Sequence, residues 1–239
     1  MYQPRTYRNL VSHRDLVTFQ VRLQETDLQI AAATELSAEV LEAVREARQQ
    51  LRAHGASFPD FLSSLEPLAP PPGCSVLVES MYAAAAIAGV GPMAAVAGAV
   101  AAHVGEALLE WSPQVIVENG GDIFLRTEAE RTVAIHAGRS PLSGKLGLTV
   151  PAGSRLGICT SSGTVGHSLS FGHADAALVV SADTALADAA ATALGNRVSV
   201  PADVPAALEW AQTVPGVRHA LVIIGETLGA WGEYELVRV

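Results

Sequence analysis

An α+β fold is what this sequence predicts, and three observations predict it. Residues 15–29 and several short segments after Gln114 carry the two-residue alternation of strands. Ser37 to about His54 and Asp183 to Leu194 instead space their apolar residues as helices do. Between them Met81 to Leu109 is an alanine- and glycine-dominated run that is nearly free of charge up to Glu106. Small residues on every side let helices lie close to neighbouring backbone, so this run reads as a pair of central helices. The expected product is a compact fold of antiparallel or mixed sheet covered by Ala-rich helices. Two rounds of helix followed by strands also fit an internal duplication, although no residue-level repeat marks it.

In chain order, Leu16 to Leu23 alternates, and Glu25-Thr26-Asp27 is the expected hairpin turn. Ser37 is placed to cap the first helix, and Gly55 to end it. Val40, Leu41, Val44 and Leu51 form its apolar stripe, and Arg, Glu and Gln its solvated face. Four prolines and a glycine in Pro67–Gly73 make a stiff connector. It divides N-terminal strands and a helix, residues 1–66, from a core, residues 74–239, within one expected domain. Gly89-Val90-Gly91-Pro92 breaks the Ala-rich run in two, with Pro92 at the favoured start of the second helix. Strands are expected at 115–117, 123–125, 132–136, 146–150, 155–160 and 176–180. A helix from Asp183 is closed by Gly195-Asn196, and another spans about Val204 to Gln212. Strands at 219–224 and 234–239 finish the chain, with Gly229-Ala-Trp-Gly232 as the turn between them.

Composition narrows the function. The 239 residues are 49% hydrophobic and 16% charged, enough to bury a core without disulfides or a structural metal. A net charge of −9 disfavours nucleic acid, whose phosphates select basic surfaces. The two cysteines, Cys74 and Cys159, form no CxxC pair, and the first residues lack a signal-peptide pattern, so a cytoplasmic location is expected. The broken Ala-rich run falls short of the ~20 continuous apolar residues of a membrane span.

Candidate chemistry concentrates between Asn119 and Asn196. Asn119-Gly120-Gly121-Asp122 between two strands is either a plain hairpin turn or a side-chain-free gap flanked by polar handles. Cys159-Thr160-Ser161-Ser162-Gly163 runs from a strand into a turn rich in hydroxyls and N–H groups, which suits phosphate or is simply a polar loop. No P-loop lysine accompanies it. Asp188 and Thr192 stand four apart on a helix of alanine and leucine, about 6 Å from each other on one face. Both offer hard oxygen, which suits Mg²⁺; the plainer alternative is an exposed Asp and a Thr bonded to its own helix. His167, His173 and Asp175 fall within nine residues but match no standard metal spacing, and loop or substrate-orienting roles fit them better. Cys159 is either a nucleophile or a small buried apolar side chain.

Taken in order, Asn-Gly-Gly-Asp-Ile, Cys-Thr-Ser-Ser-Gly and Ala-Asp-Ala-Ala-Ala-Thr-Ala-Leu-Gly resemble the ApbE-like superfamily over about Ser80 to Arg197. Its known members are Mg²⁺-dependent FAD:protein FMN transferases, and this chain is most similar to a shorter, uncharacterised branch. The resemblance implies Mg²⁺ on Asp188 and Thr192, with backbone oxygens of Ala191 and a residue near Asn119. It implies a flavin nucleotide such as FAD against Gly120, Gly121 and Asp122, and its diphosphate near Thr160, Ser161, Ser162 and Gly163. His173 or Asp175 would accept a proton. A small-molecule flavin or nucleotide is the expected partner, with a protein acceptor and self-association compatible with it. The transferases' His-x-x-Asp-Pro-x-Thr-Gly signature is replaced here by Ser168-Leu-Ser-Phe-Gly-His-Ala-Asp-Ala176. A non-catalytic flavin-binding module and a sulfur-handling protein working through Cys159 are therefore the two alternatives.

Overall fold

The computed structural model describes residues 15–163 and 171–239. Strands β1 (Val17–Leu23) and β2 (Thr26–Ala32) form a hairpin, followed by helix α1 (Ser37–Ser57) and the single turn α2 (Asp60–Ser63). Helix α3 (Val76–Ala88) and a 3-10 turn (Pro92–Ala95) lead into α4 (Val96–Leu108). Five strands come next: β3 (Val115–Asn119), β4 (Asp122–Arg126), β5 (Arg131–Ala134), β6 (Leu146–Val150) and β7 (Arg155–Ser161). The chain ends with β8 (Ala176–Ser181), α5 (Thr184–Gly195), α6 (Val204–Thr213), β9 (Val217–Ile224), β10 (Thr227–Gly232) and β11 (Leu236–Arg238).

Eight strands form one antiparallel sheet in the order β1-β2-β3-β4-β7-β8-β9-β10, and β11-β6-β5 form a second, also antiparallel. The hairpin before Pro67 is continuous with this sheet, because β2 pairs with β3 from Gln29 against Glu118 to Ala32 against Val115. Strand alternation gives the large sheet two buried faces. Val115, Val117, Phe124, Cys159 and Val179 meet the helices, whereas Ile116, Ile123, Leu125, Ile158 and Leu178 meet the small sheet. Near-continuous apolar strands follow from that double burial; every residue of β8 is buried.

The Ala-rich pair is buried as expected. Ser75 caps α3 by accepting the Val78 N–H, and Gly89 at φ +73° ends it in the left-handed conformation. Together α3 and the Pro92–Leu108 segment bend by 106°. Among the described residues no single helix is long and apolar enough to cross a membrane.

Three local expectations are corrected. Leu36, not Ser37, stands at the α1 N-cap, and the Ser37 hydroxyl turns to Glu35. Gly55 lies inside α1, where Leu62 packs so closely that a Cβ would stand 2.8 Å from its methyl. Gly229–Gly232 belongs to strand β10, and the turn is Gly225–Glu226. A Cβ on Gly229 would meet Val204 at 2.5 Å, so this glycine serves helix packing rather than chain reversal.

Candidate functional site

The site forms where the helix face of the large sheet meets α4 and α5. Asn119 pairs with Asp122, leaving Gly120 and Gly121 as a two-residue hairpin loop with φ of +73° and +109°. Positive φ at both positions is what a primed hairpin turn requires, so glycine is dictated by backbone geometry here. The Gly121 N–H donates to Glu118 Oε1 at 2.8 Å, and nothing lies within 4 Å of where a Gly120 Cβ would stand. The turn is thus a hairpin whose Gly120 faces open space, two residues before the buried Asp122.

Next to β4, β7 pairs Ile158 with Ile123 and carries Cys159 onto the same helix face. Helix α5 lies along this strand. Asp183 caps it by accepting from Ala185 and Leu186, and its stripe Thr184, Asp188, Thr192 and Gly195 repeats at helical spacing. At one end a Cβ on Gly157 would meet Thr184 Cα at 2.5 Å; at the other, one on Gly195 would stand 3.5 Å from Ser161 Oγ. Gly157 lets strand and helix touch, whereas a Cβ on Gly195 would be in ordinary contact.

Asp188 is buried on that stripe, and its Oδ2 accepts the Gly98 N–H at 2.8 Å. Ala97 and Gly98 are in the first turn of α4, so this carboxylate caps a helix far away in sequence. A Cβ on Gly98 would stand 2.4 Å from the Thr184 carbonyl oxygen and 2.7 Å from Asp188 Cβ, which explains the glycine. Asn119 holds the same turn from the other side, its Nδ2 donating to the Ala97 carbonyl at 3.0 Å.

Asp122, Cys159 and Asp188 thereby meet in one buried cluster. Burial, and after it the Asp188 charge, push the Asp122 carboxyl well above its usual range; the Cys159 thiol and Thr160 N–H pull the other way. Burial pushes Asp188 up to about 7 against the N–H groups of Gly98 and Ala97. Cys159 is fully buried, with its Sγ 3.5 Å from the Thr184 carbonyl. Burial, then both carboxylates, push this thiol well above its ordinary value. An attacking sulfur needs the thiolate, so this environment favours a packed thiol over a nucleophile.

The remaining sequence candidates divide. Ala191 is buried in α5, while Thr192 is half-buried on the Asp188 stripe. Thr160, Ser161 and Ser162 are half-buried and Gly163 exposed at the end of β7. Alternation sends Ser161 to the helix face and Thr160 to the opposite one, so the hydroxyls do not converge on a single point. Gly163 is tied to Ala174 by its N–H, and His173, which is exposed, is tied to the Val198 carbonyl by its own. Asp175 is buried, and its Oδ2 accepts the Gly225 N–H at 2.8 Å in the β9–β10 turn. It lies four residues along β8 from Val179, the partner of Cys159, or about 13 Å from the carboxylate cluster at ~3.3 Å per residue. His167 lies outside the described residues.

The sequence-based candidates omit Glu118, the backbone of Ala97 and Gly98, and Asn196. The Asn196 Oδ1 accepts the Phe171 N–H at 2.9 Å. Only the glycine at 98 inside an alanine helix carries any local signal of close contact.

Oxygen donors dominate the cluster, as a hard cation requires. Among the described residues no three His, Cys, Asp or Glu side chains are grouped as a metal cage. A cation here would rest on Asp188, with Asp122 close by, and draw further donors from hydroxyl, carbonyl and water. Mg²⁺ keeps several waters, so such a set fits it better than zinc.

Known proteins share this fold and this sequence pattern. The AbpE_bact family model, described as AbpE bacteria, matches residues 8–221. A UPF0280 protein of Methanocella arvoryzae is 43% identical over 217 residues, covering 90% of this chain and 88% of the relative. One from Methanosarcina acetivorans is 44% identical over 216 residues, covering 89% and 85%. Among solved structures, the apo form of Pseudomonas stutzeri flavinyl transferase ApbE matches with a TM-score of 0.60 at 14% identity, covering 90% of this chain and 94% of that one. The flavin transferase ApbE from Vibrio cholerae gives 0.59 at 12% identity, covering 90% and 96%. At such identities the structural matches establish the fold, while the family match and the close UPF0280 relatives establish kinship. The chain belongs to the AbpE bacteria family and, through it, to the ApbE-like superfamily.

Proposed function

We propose that this protein binds a flavin nucleotide such as FAD, or another nucleotide diphosphate, together with Mg²⁺, and acts as a Mg²⁺-dependent transferase or hydrolase. The observation that carries the reading is the buried meeting of Asp122 and Asp188. Two carboxylates from distant elements raise each other's cost of ionisation, and the charges facing Asp122 are both negative, Asp188 and Glu118. A divalent cation offsets that repulsion. Asp188 and Thr192 would hold the ion, with carbonyls near Ala191 and Asn119 and retained waters. When bound, it would neutralise the diphosphate and its leaving group.

The chain's own residues supply the rest. The Gly120–Gly121 turn would admit a ligand to the carboxylates, and the Ser161–Gly163 segment offers hydroxyl donors for phosphate. His173, exposed at the rim, is the better candidate proton acceptor, because the Asp175 carboxylate is committed to Gly225. That commitment favours a second reading, a binding module that retains the pocket without the transfer step. The flavin transferases named above lend the flavin as the first ligand to try. A protein acceptor and a cytoplasmic setting belong to the same proposal.

Calorimetry with FAD and Mg²⁺ tests it. Binding should require the metal, and Asp188→Asn, which keeps an oxygen for the Gly98 N–H, should weaken it at least ~10-fold, the scale of one lost charged contact. Tight FAD binding without Mg²⁺, or unchanged binding by the variant, sinks the metal assignment. Release of FMN or AMP over time separates the enzyme from the module.

A further inference from the structure

Arg197 stands just past the C-terminus of α5, and its guanidinium is fixed on two sides. It lies 3.7 Å above the Trp210 ring of α6, and its Nη1 donates to the Ala193 carbonyl at 2.7 Å. Four other arginines pair with carboxylates: Arg48 with Glu25, Arg131 with Asp15, Arg155 with Glu106, and Arg218 with Glu233. Among the described residues no carboxylate pairs with Arg197, although the chain carries a net charge of −9. The residue is exposed, and partial burial of its guanidinium lowers its pKa.

The chain on either side of Arg197 is tied to Phe171 and His173. On one side of Arg197, Asn196 accepts the Phe171 N–H; on the other, the Val198 carbonyl accepts the His173 N–H. Gly172 packs against Gly195 and Val198 so tightly that a Cβ would stand 1.9 Å from the Gly195 oxygen. Gly163 in turn packs on Gly172, and Ser161 on Gly195. The exposed His173 and Phe171 and the Ser161–Gly163 segment therefore gather beside the Gly195–Val198 backbone that carries the arginine.

We propose that Arg197, held by Trp210 and the Ala193 carbonyl, is a phosphate-binding residue for the nucleotide ligand, at the end of α5 opposite the carboxylates. This rests on the proposed function and deepens it. Asp188 to Gly195, the last residue of α5, spans seven residues, about 10 Å at ~1.5 Å per residue, and Arg197 stands beyond it, so the arginine would engage a part of the ligand other than the metal-bound oxygens. A guanidinium with one face on an aromatic ring presents its remaining N–H groups edge-on, the geometry phosphate oxygens accept.

The test compares FAD, ADP, pyrophosphate and riboflavin by calorimetry with Mg²⁺ on the full chain. Arg197→Gln should weaken FAD and ADP ~10-fold or more, the scale of one charge-assisted contact, and leave riboflavin unchanged. Arg197→Lys, which keeps the charge but not the planar fork, should fall between. A thermal melt reads the structural contribution separately, since the cation–π and helix-end contacts stabilise the fold whatever is bound. Equal FAD affinity in wild type and Arg197→Gln, or equal losses for FAD and riboflavin, would overturn the inference and leave the metal reading standing. Pyrophosphate bound by wild type but not by Arg197→Gln, with no FAD binding, would sustain the phosphate role and remove the flavin. No binding of FAD, ADP or pyrophosphate by wild type defeats both.

Discussion

The two faces of the eight-stranded sheet are built from different materials. The face under the small sheet is filled by branched and bulky side chains such as Ile123, Leu125, Leu148, Leu156, Ile158, Leu178 and Ile223. The face under the helices is dominated by alanine; Gly98 and Gly157 bring backbones together there, and Gly105 makes room for the Phe124 ring. Large interlocking side chains give burial, while small ones give proximity. Only the second arrangement lets polar side chains from β4, β7 and α5 share a buried point with the start of α4. The difference teaches that the candidate site sits on the face built for close approach, while the face under the small sheet is packed for burial alone.

Truncation on the small-sheet face should give the largest effect. Leu125→Ala, at a fully buried position, should cost ~2–5 kcal/mol in denaturant unfolding. Ligand affinity of the folded fraction should stay the same, and a matching loss of affinity would break the division between the faces. Next comes pH. His219, buried beside Tyr234, takes the Tyr234 N–H on Nδ1, and burial lowers its pKa to about 4. The native ring stays neutral while the unfolded chain takes up a proton below about 6.5, so falling pH favours unfolding. The penalty is absent above pH 6.5 and grows to ~3 kcal/mol near pH 4. Unfolding midpoints between those pH values should show it, and His219→Gln should flatten the slope.

On the helix face the changes are smaller in stability and larger in function. Gly98→Ala forces a methyl against the Thr184 carbonyl and should cost ~1–3 kcal/mol. It should also weaken Mg²⁺-dependent binding, since it displaces the turn that orients Asp188; intact binding would separate the α4 contact from the site. Asp183→Ala removes the cap of α5 and should lower stability by about 1 kcal/mol with binding retained.

Local chemistry made much of this legible. The Asp188–Thr192 stripe follows from helical period, and the break at Gly89–Pro92 from two glycines and a proline. Asp183 and Gly195 bound α5 as expected. Where expectation failed, a distant partner had overruled a local preference. Gly55 continues a helix because Leu62 needs the space, and Gly229 sits in a strand because Val204 does. The candidate site shows the same limit. Nothing local to Asp122, Cys159 or Asp188 says that the three meet, nor that Asp188 caps a helix starting 92 residues earlier at Val96.

The sequence by itself determined the fold class, the helix and strand periods, and which residue types could carry chemistry. Those depend on interactions within a few residues, where spacing alone fixes direction. Tertiary structure decided that the thiol is buried between carboxylates, that Thr160 and Ser161 face opposite ways, and that Asp175 is committed to Gly225. It also decided that Arg197 stands on Trp210 without a carboxylate. Solvent exclusion and charge neighbours set the character of an ionisable group, and both come into being only when distant segments pack.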